Sequence, residues 1–323
     1  MGERKGDRVL LTWTQPTETT DNQGIRHPGV TRICRAVDEY PMAECRDIVK
    51  ELGPTELTSI PGSGQEPKIF YEHVIPNDLL GGNRYATYAI EVFNDHLRSA
   101  GLSNQVRVPL APTLPPPHEL HVTVDPEGPV IRWTGLSHNQ VAAGPDVQVR
   151  YRVYRRVAGQ PNYTLVDEVP LNGPNYSVTD TSFQWEQTYD YKVASVTSLP
   201  QPVGRMQTEI EGDDSPVARV TVHDSFPPEQ PAGLQAVYSG VGQRPFIDLT
   251  WAPNTEPDLA GYILYRHEDG QQPVALNQQP VPAPAFRDDN VEPGHTYTYS
   301  VRAVDVRGNQ SPLSQETSET VPK

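Results

Sequence analysis

Three short stretches decide the fold: Val9-Leu-Leu-Thr-Trp13, Pro129-Val-Ile-Arg-Trp133 and Ile247-Asp-Leu-Thr-Trp251. In each, apolar residues alternate along a run that ends in tryptophan, a pattern typical of a strand with one buried face. A polar, turn-rich stretch follows each run and leads to a second alternating run. This recurrence predicts one structural unit repeated three times along the chain.

Two further segments repeat with the tryptophan runs. The second runs align without gaps as Thr31-Arg-Ile-Cys-Arg35, Tyr151-Arg-Val-Tyr-Arg155 and Tyr262-Ile-Leu-Tyr-Arg266. Further along each copy lies a tyrosine-led run: Tyr88-Ala-Ile90-Glu-Val92, Tyr191-Lys-Val193-Ala-Ser195 and Tyr299-Ser-Val301-Arg-Ala303. Period-two alternation places every second residue of these runs on one face of a strand.

The three segments together resemble the fibronectin type III family, whose marks are the Trp of strand B, the Tyr-Arg end of strand C and the Tyr-led strand F. The resemblance implies an all-β chain of three consecutive immunoglobulin-like sandwiches. It also implies that Trp13, Trp133 and Trp251 lie in three separate cores. Tyr189 and Tyr297 would stand at the corner before strand F, where the tyrosine hydroxyl reaches back to the backbone. Such a fold says little about function by itself.

Composition agrees with short strands and disfavours several classes of partner. Apolar residues make up only 36% of the chain and Pro is abundant at 34 residues, which favours small sandwiches over one large globule. The net charge of −15 would repel nucleic acid and anionic membrane surfaces. No apolar run is long enough to span a bilayer.

Proline-rich joints set the predicted domain limits. Ala111-Pro-Thr-Leu-Pro-Pro-Pro117 and Phe226-Pro-Pro-Glu-Gln-Pro231 separate the copies, which predicts domains at residues 1–112, 113–225 and 226–323. Because such runs favour extended and fairly stiff conformations, we expect the sandwiches to form a semi-rigid string.

The first copy lacks an apolar strand ahead of its tryptophan. The other two have one, Leu120-His-Val-Thr-Val124 and Leu234-Gln-Ala-Val-Tyr238, but counting back from Trp13 runs off the front of the chain. We therefore expect the first sandwich to lack strand A, with the natural protein continuing upstream of Met1, where an export signal or anchor would lie. The alternative is that strand A is dispensable and strand B forms an exposed edge.

The two cysteines, Cys34 and Cys45, are a disulfide candidate. If Glu39 and Tyr40 form the tip of a hairpin, the cysteines face each other across its two strands on the outward face, at a spacing near that of a disulfide. A bond would agree with an oxidising compartment, and two free thiols are the alternative.

No catalytic residue, cofactor site or metal site is predicted. Motifs for phosphate-binding loops, nucleophile elbows and zinc proteases do not occur. The acidic run Glu209-Ile-Glu-Gly-Asp-Asp214 has carboxylates that could bind calcium, but a solvated loop is the better interpretation. Arg307-Gly-Asn309 differs from an adhesion triplet because Asn replaces the acid, so we interpret it as a turn.

The function expected from the sequence is contact rather than catalysis. The leading hypothesis is a scaffold or adhesion protein of the envelope or cell surface, resembling exported bacterial lipoproteins, with an unknown protein partner. Recognition would use the loops at residues 198–214 and 46–65 or an exposed strand edge. The alternative is a carbohydrate-associated spacer of a larger secreted enzyme, which would bind a glycan.

Overall fold

Alternating side chains become strands throughout the chain. The computed structural model describes residues 1–16, 18, 28–60, 68–81, 84–137, 147–199, 209–240, 242 and 244–323, and all regular elements within these ranges are β-strands. The all-β class expected from the sequence is therefore confirmed.

The first sandwich packs two sheets face to face. Its strands are β1 (Gly2–Lys5), β2 (Arg8–Thr14), β3 (Pro28–Val37), β4 (Asp47–Leu52), β5 (Thr58–Ile60), β6 (Lys68–Val74), β7 (Tyr85–Asn94), β8 (Ser99–Leu102) and β9 (Val106–Pro109). One sheet has the order β1-β2-β6-β5 and the other β4-β3-β7-β8, with β9 also paired to β7.

The second sandwich repeats this plan. Its strands are β10 (His118–Asp125), β11 (Gly128–Thr134), β12 (Gln148–Val157), β13 (Thr164–Pro170), β14 (Asn175–Thr179), β15 (Gln187–Ser198), β16 (Glu209–Asp214) and β17 (Ala218–Val222). One sheet is β10-β11-β14, and it faces β13-β12-β15, in which β15 also pairs with β16 and β17.

The third sandwich is the most regular copy. Its strands are β18 (Gln235–Ser239), β19 (Phe246–Thr250), β20 (Leu259–His267), β21 (Val274–Ala275), β22 (Ala285–Asp288), β23 (Thr296–Asp305) and β24 (Thr317–Thr320). They form the sheets β18-β19-β22 and β21-β20-β23-β24.

Each sandwich has its own hydrophobic core, and the three cores have no residue in common. Trp133 and Trp251 are buried in the second and third cores, and Trp13 packs half-buried against the first. Tyrosines of β12 and β15 in the second sandwich, and of β20 and β23 in the third, supply much of the buried volume, including Tyr151 and Tyr262. The separation of the cores agrees with repeated small sandwiches rather than one large globule.

The expectation that the first sandwich lacks strand A is corrected by β1. This strand pairs antiparallel with β2, and a two-residue turn joins Lys5 to Arg8 as another joins Asp125 to Gly128 in the second sandwich. Thus β1 matches the last four residues of β10. The sequence pattern missed it because Gly2–Lys5 has no apolar alternation, and its buried residue is Arg4.

The chain divides into two compact units, Met1–Val222 and His223–Lys323. The first unit contains the first two sandwiches, and the second unit is the third sandwich. Within the first unit, β1 pairs with β16, so one nine-stranded sheet runs in the order β13-β12-β15-β16-β1-β2-β6-β5, with β17 as the ninth strand, paired to β15. The domain ranges proposed from the proline-rich joints stay a prediction.

Candidate functional site

Backbone pairing joins the first and second sandwiches at a contact that we call the interdomain junction, formed by residues 2–8 and Glu209–Asp214. Here β1 and β16 run parallel with Lys5 opposite Glu211, and the Gly6 amide donates to the Glu211 carbonyl over 2.7 Å. Because β1 also pairs with β2 and β16 with β15, neither strand is an open edge at this point.

The local sequence explains why β16 can sit between two sandwiches. Ile210 is fully buried, which anchors the strand from one face. Gly212 is required by close approach, since a Cβ at this position would collide with the Ser195 hydroxyl and press on the Leu114 carbonyl. An apolar anchor and a glycine at close approach thus fix the strand against β15.

One carboxylate of the acidic run forms ion pairs with arginine side chains of the second sandwich. Glu209 accepts hydrogen bonds from Arg150 at 2.5 Å and Arg152 at 2.7 Å, and Glu168 bridges the same two guanidinium groups. The Arg150 guanidinium therefore holds the pKa of the Glu209 carboxyl below its ordinary value.

The same run also forms ion pairs with lysine and arginine side chains of the first sandwich. Lys5 lies 2.7 Å from an Asp214 carboxylate oxygen, and Arg8 lies 2.7 Å from Asp213. On the second sandwich, Lys192 shares Asp214 at 2.9 Å. The interpretation of this run as a solvated loop is wrong, because it is a strand whose carboxylates are neutralised by lysine and arginine. The loop residues 200–208, which we had considered for recognition, lie outside the described residues.

A buried arginine fastens the end of the first sandwich to its beginning. Arg4 is 3% exposed, and its guanidinium donates to the carbonyls of Pro109 at 2.6 Å, Ala111 at 2.8 Å and Gly6 at 2.8 Å. Burial lowers the pKa of this guanidinium to about 10. Since Ala111 begins the proline-rich joint, Arg4 fixes the point where the chain leaves the first sandwich.

An open cleft of about 970 Å³ lies in the first sandwich between β2, β7 and the β8 hairpin. We call it the first-sandwich cleft. Its apolar lining includes Leu11, Trp13, Ile90, Val92 and Val106. Trp13 stays half-exposed here, and its indole N–H donates to Gln15 at 3.2 Å.

Thr31 explains part of this exposure. The corresponding residues of the other sandwiches are Tyr151 and Tyr262, whose rings pack edge-on against Trp133 and Trp251 at 5.9 and 5.0 Å. Threonine supplies no such ring, so Trp13 is less covered than its counterparts.

A disulfide joins Cys34 and Cys45, with their Cα atoms 5.2 Å apart. The hairpin geometry expected from the sequence is corrected, because Cys34 pairs with Ile48 and Cys45 lies in the turn before β4. Cys34 is fully buried beneath Met42 of that turn, on the sheet face away from the main core. The turn therefore covers what we expected to be an outward face. Among the described residues, β4 and β5 occupy much of the 46–65 insertion.

The second and third sandwiches share a buried arginine–aspartate–tyrosine cluster that the sequence did not reveal. In the third sandwich, Asp288 accepts from Arg266 at 2.8 Å and from the Tyr299 hydroxyl at 2.9 Å. In the second, Asp180 accepts from Arg155 at 2.6 Å and Tyr191 at 2.9 Å.

The first sandwich replaces the aspartate of this cluster with His73. By strand register, His73 opposite Val9 matches Asp288 opposite Ile247. Its Nε2 lies 3.3 Å from Arg35, and its ring contacts Tyr88 edge-on. The alignment of single runs could not show this, because the equivalence depends on the register of β2 with β6 and of β19 with β22.

The predicted corner tyrosines lie near the start of β15 and β23, and their hydroxyls reach back to the turn before each strand. Tyr189 and Tyr297 are each 3% exposed, and their hydroxyls accept from the amides of Gln184 at 2.9 Å and Glu292 at 3.0 Å.

The Arg307-Gly-Asn309 segment lies in a turn of the third sandwich that is tied to acidic residues. Asn309 donates to Asp305 at 2.8 Å, and Arg307 lies 3.0 Å from Asp224. Carboxylate oxygens of Asp224, Asp258 and Asp305 come within 4.8 Å of one another, which is a spacing compatible with a cation. Sequence reasoning missed this group because its members are far apart along the chain.

In each sandwich one sheet contains the strand order A-B-E, which is β1-β2-β6, β10-β11-β14 and β18-β19-β22 in turn. The other contains the order C′-C-F-G, which is β4-β3-β7-β8, β13-β12-β15-β16 and β21-β20-β23-β24. This is the fibronectin type III topology, so the chain is built from tandem fibronectin type III-like sandwiches. Within the described residues, no helix has the length and apolarity needed to cross a bilayer.

No family model matches the chain. The chain is similar to the FN1–FN3 domains of chicken CNTN1, with 16% identity, 99% of this chain and 96% of that chain covered, and a TM-score of 0.29. It is also similar to an Fn3-like protein from Clostridium thermocellum, with 27% identity over 30% of this chain and 97% of that chain, and a TM-score of 0.26. Since both TM-scores are low, the fold assignment depends on the strand orders and cores described above.

Proposed function

We propose that the chain is a non-catalytic scaffold or adhesion protein of the cell envelope or cell surface, acting through protein–protein contacts. The observation that carries this proposal is the nine-stranded sheet shared by the first two sandwiches. A shared sheet, reinforced by Lys5 and Arg8 across the junction, restrains the orientation of two sandwiches that would otherwise be linked only by a proline-rich joint. Fixed spacing between two contact surfaces is what a scaffold requires.

The proposal is tested by capturing envelope proteins on the immobilised full chain. The junction variant Lys5→Glu/Arg8→Glu places two acids against the acidic run, and Arg46→Glu/Lys50→Glu makes the same charge change at exposed positions elsewhere. Saturable binding of an envelope protein that is weakened in the junction variant and kept in the control supports the scaffold. Capture no greater than that of the heat-unfolded chain overturns it.

We further propose an extracytoplasmic location, in the periplasm or at the cell surface. The Cys34–Cys45 disulfide supports the location, since such bonds persist in oxidising compartments. Alkylation of thiols in intact cells, before lysis, tests it. The cysteines should resist the reagent until a reductant is added, and immediate labelling of both would place the chain in a reducing compartment.

The carbohydrate-associated alternative has weaker support. Sugar-binding faces usually present several coplanar exposed aromatics, but Trp13, Trp133 and Trp251 pack in or against the cores. Trp185 packs edge-on against Phe183 at 4.7 Å. Specific binding on a glycan array would restore this alternative.

A further inference from the structure

We propose that reduction of the Cys34–Cys45 disulfide creates a metal site, in which the two thiolates and the Glu91 carboxylate together bind one zinc ion. The site lies on the outer face of one sheet of the first sandwich. It is independent of the scaffold function, because it consists of three side chains of this chain and needs no partner protein.

The strand register brings a carboxylate to the disulfide. Cys34 of β3 pairs with Ala89 of β7, and Glu91 lies two residues further along β7 on the same face of the sheet. A carboxylate oxygen of Glu91 and the sulfurs of Cys34 and Cys45 all lie within 4.8 Å of one another. The sequence indicated only two of these ligands, because the third belongs to a distant strand.

The three atoms suit zinc in both type and spacing. Thiolate sulfur binds Zn²⁺ at about 2.3 Å and carboxylate oxygen at about 2.1 Å, in a tetrahedral arrangement. Two sulfurs bound in this way are about 3.8 Å apart, which is close to the contact distance of sulfurs that are no longer bonded to each other. Side-chain shifts of about 1–2 Å would therefore complete the site, with water as the fourth ligand.

The turn that carries Cys45 is fastened by contacts other than the disulfide. The Met42 amide donates to the Gln105 side-chain oxygen, and the Gln105 side-chain nitrogen donates to the Met42 carbonyl, both at 2.8 Å. The Thr87 hydroxyl donates to the Glu39 carbonyl at 2.6 Å. Because these hydrogen bonds do not depend on the S–S bond, reduction should leave the Cys45 sulfur beside the other two ligands.

The surroundings of the disulfide favour a bound cation. Cys34 is fully buried, and Met42 and the partly buried Leu102 belong to the apolar cluster around it. An apolar shell limits access of water and strengthens the attraction between thiolate and cation. The Ser99 hydroxyl donates to the Glu91 carboxylate at 2.7 Å, and an outer hydrogen bond of this kind orients a metal ligand.

Loading of the site is an exchange in which electrons and protons balance. A dithiol donates two electrons and two protons to the S–S bond, which breaks to give two thiols, while the dithiol itself becomes a disulfide. Each thiol then loses its proton as Zn²⁺ binds, so two protons are released for each ion. Oxidation of the thiolates by another disulfide forms the S–S bond again and expels the ion.

The test uses the full chain, reduced with a dithiol and then freed of it in the absence of air. Cobalt(II) is the probe, because cobalt–thiolate bonds give an intense charge-transfer absorption, and competition with zinc then measures the zinc affinity. Glu91→Gln removes the carboxylate charge and keeps the side-chain shape. Glu72→Gln makes the same change at an exposed position of β6, and Cys34→Ser/Cys45→Ser removes both thiolates.

We expect one ion for each reduced chain, and no charge-transfer absorption from the oxidised chain. Glu91→Gln should weaken zinc affinity at least about 10- to 100-fold, the loss that follows even a change in an outer partner of a ligand, and Glu72→Gln should bind as the wild type does. Zinc should also restore the hydrogen-exchange protection of β3 that reduction removes, since a ligand that binds only the folded state stabilises it.

Any of four results overturns the inference. The first two are a reduced chain without the charge-transfer absorption and equal zinc affinity in wild type and Glu91→Gln. The others are zinc bound as tightly by Cys34→Ser/Cys45→Ser and one ion shared between two chains. If reduction alone unfolds the first sandwich, zinc must refold it, and a reduced chain that stays unfolded at saturating zinc counts against the site. Capture of envelope proteins by the oxidised chain is measured separately, so the scaffold proposal can stand while this inference fails.

Discussion

Replacing His73 with aspartate should stabilise the first sandwich, because it restores the acceptor used in the other two. In the second sandwich, the Asp180 carboxylate takes hydrogen bonds from a guanidinium and a tyrosine hydroxyl. In the first, the Tyr88 hydroxyl is buried with no hydrogen-bond partner among the described residues, and Arg35 lies against the His73 imidazole. An unpaired buried hydroxyl and two adjacent basic groups are both unfavourable.

The size of this stabilisation can be worked out from the hydrogen bonds that the new aspartate would accept. An aspartate at position 73 would accept from Tyr88 and Arg35, and hydrogen bonds to a charged group contribute about 1.5–3 kcal/mol each. Desolvation of the new carboxylate offsets part of this gain, and Arg35 already bonds to Asp47 at 2.7 Å. We therefore expect a net gain of about 1–3 kcal/mol at neutral pH, which slows local hydrogen exchange about 5- to 150-fold.

The stability of the wild-type first sandwich should fall at acidic pH because of His73. Burial, and then the Arg35 charge, lower the pKa of His73 below its ordinary value in the folded chain. The unfolded chain consequently binds the proton more readily, so stability is lost as the pH falls below about 6.5, the pKa of an unperturbed histidine. In His73→Asp this loss disappears, because the carboxylate beside Arg35 stays charged over that range.

Hydrogen exchange of peptides covering β6 and β7 measures both effects in the full chain, from about pH 7.5 to about pH 5 after correction for the intrinsic rate. His96→Asp is the matched control, since the His96 side chain is 80% exposed. Asp180→His makes the opposite replacement in the second sandwich and should lower its folding stability by about 3–5 kcal/mol. Equal protection of β6 and β7 in wild type and His73→Asp at every pH would refute the reasoning.

Three other substitutions test separate contacts by denaturation of the full chain. Replacing Cys34 and Cys45 with serine should cost the first sandwich about 3 kcal/mol, because the bond closes a short loop; an unchanged midpoint would contradict this. Tyr189→Phe should cost about 1 kcal/mol through the lost corner bond, and a neutral result would mean that water replaces it. Arg4→Met leaves buried carbonyls unpaired and should cost about 2–4 kcal/mol, whereas exposed Arg98→Met should be neutral; equal effects would refute the role of burial.

The sandwiches themselves were predictable because their buried strands follow period-two alternation. Trp133, Val153 and Val193 fall in one core at the positions that alternation assigns to a single face. Tyrosines in strands C and F repeat with the same register, so three weak local patterns reinforced one another.

The strands at the interdomain junction could not be found in this way. The sequence Gly-Glu-Arg-Lys of β1 has no apolar alternation, because the buried residue is Arg4, whose charge is satisfied by backbone carbonyls. The acidic residues of β16 also lack apolar alternation, so the sequence predicted a loop there. Their partners Lys5 and Arg8 belong to another sandwich, and pairing between distant segments leaves no trace in a local pattern.

Comparison among the three copies shows where the first sandwich departs from the common plan. His73 replaces a buried aspartate, Thr31 replaces a core tyrosine, and Gly2 with Arg4 replace the aliphatic residues of strand A. The first change leaves the Tyr88 hydroxyl without a partner among the described residues and the second leaves Trp13 less covered, whereas Arg4 exchanges aliphatic packing for hydrogen bonds to three carbonyls. Departures that weaken a fold are expected where a protein keeps a surface open for another use. Two of the changes border the first-sandwich cleft, because Thr31 leaves Trp13 less covered and Gly2 lies against the lining residues Leu11 and Val106.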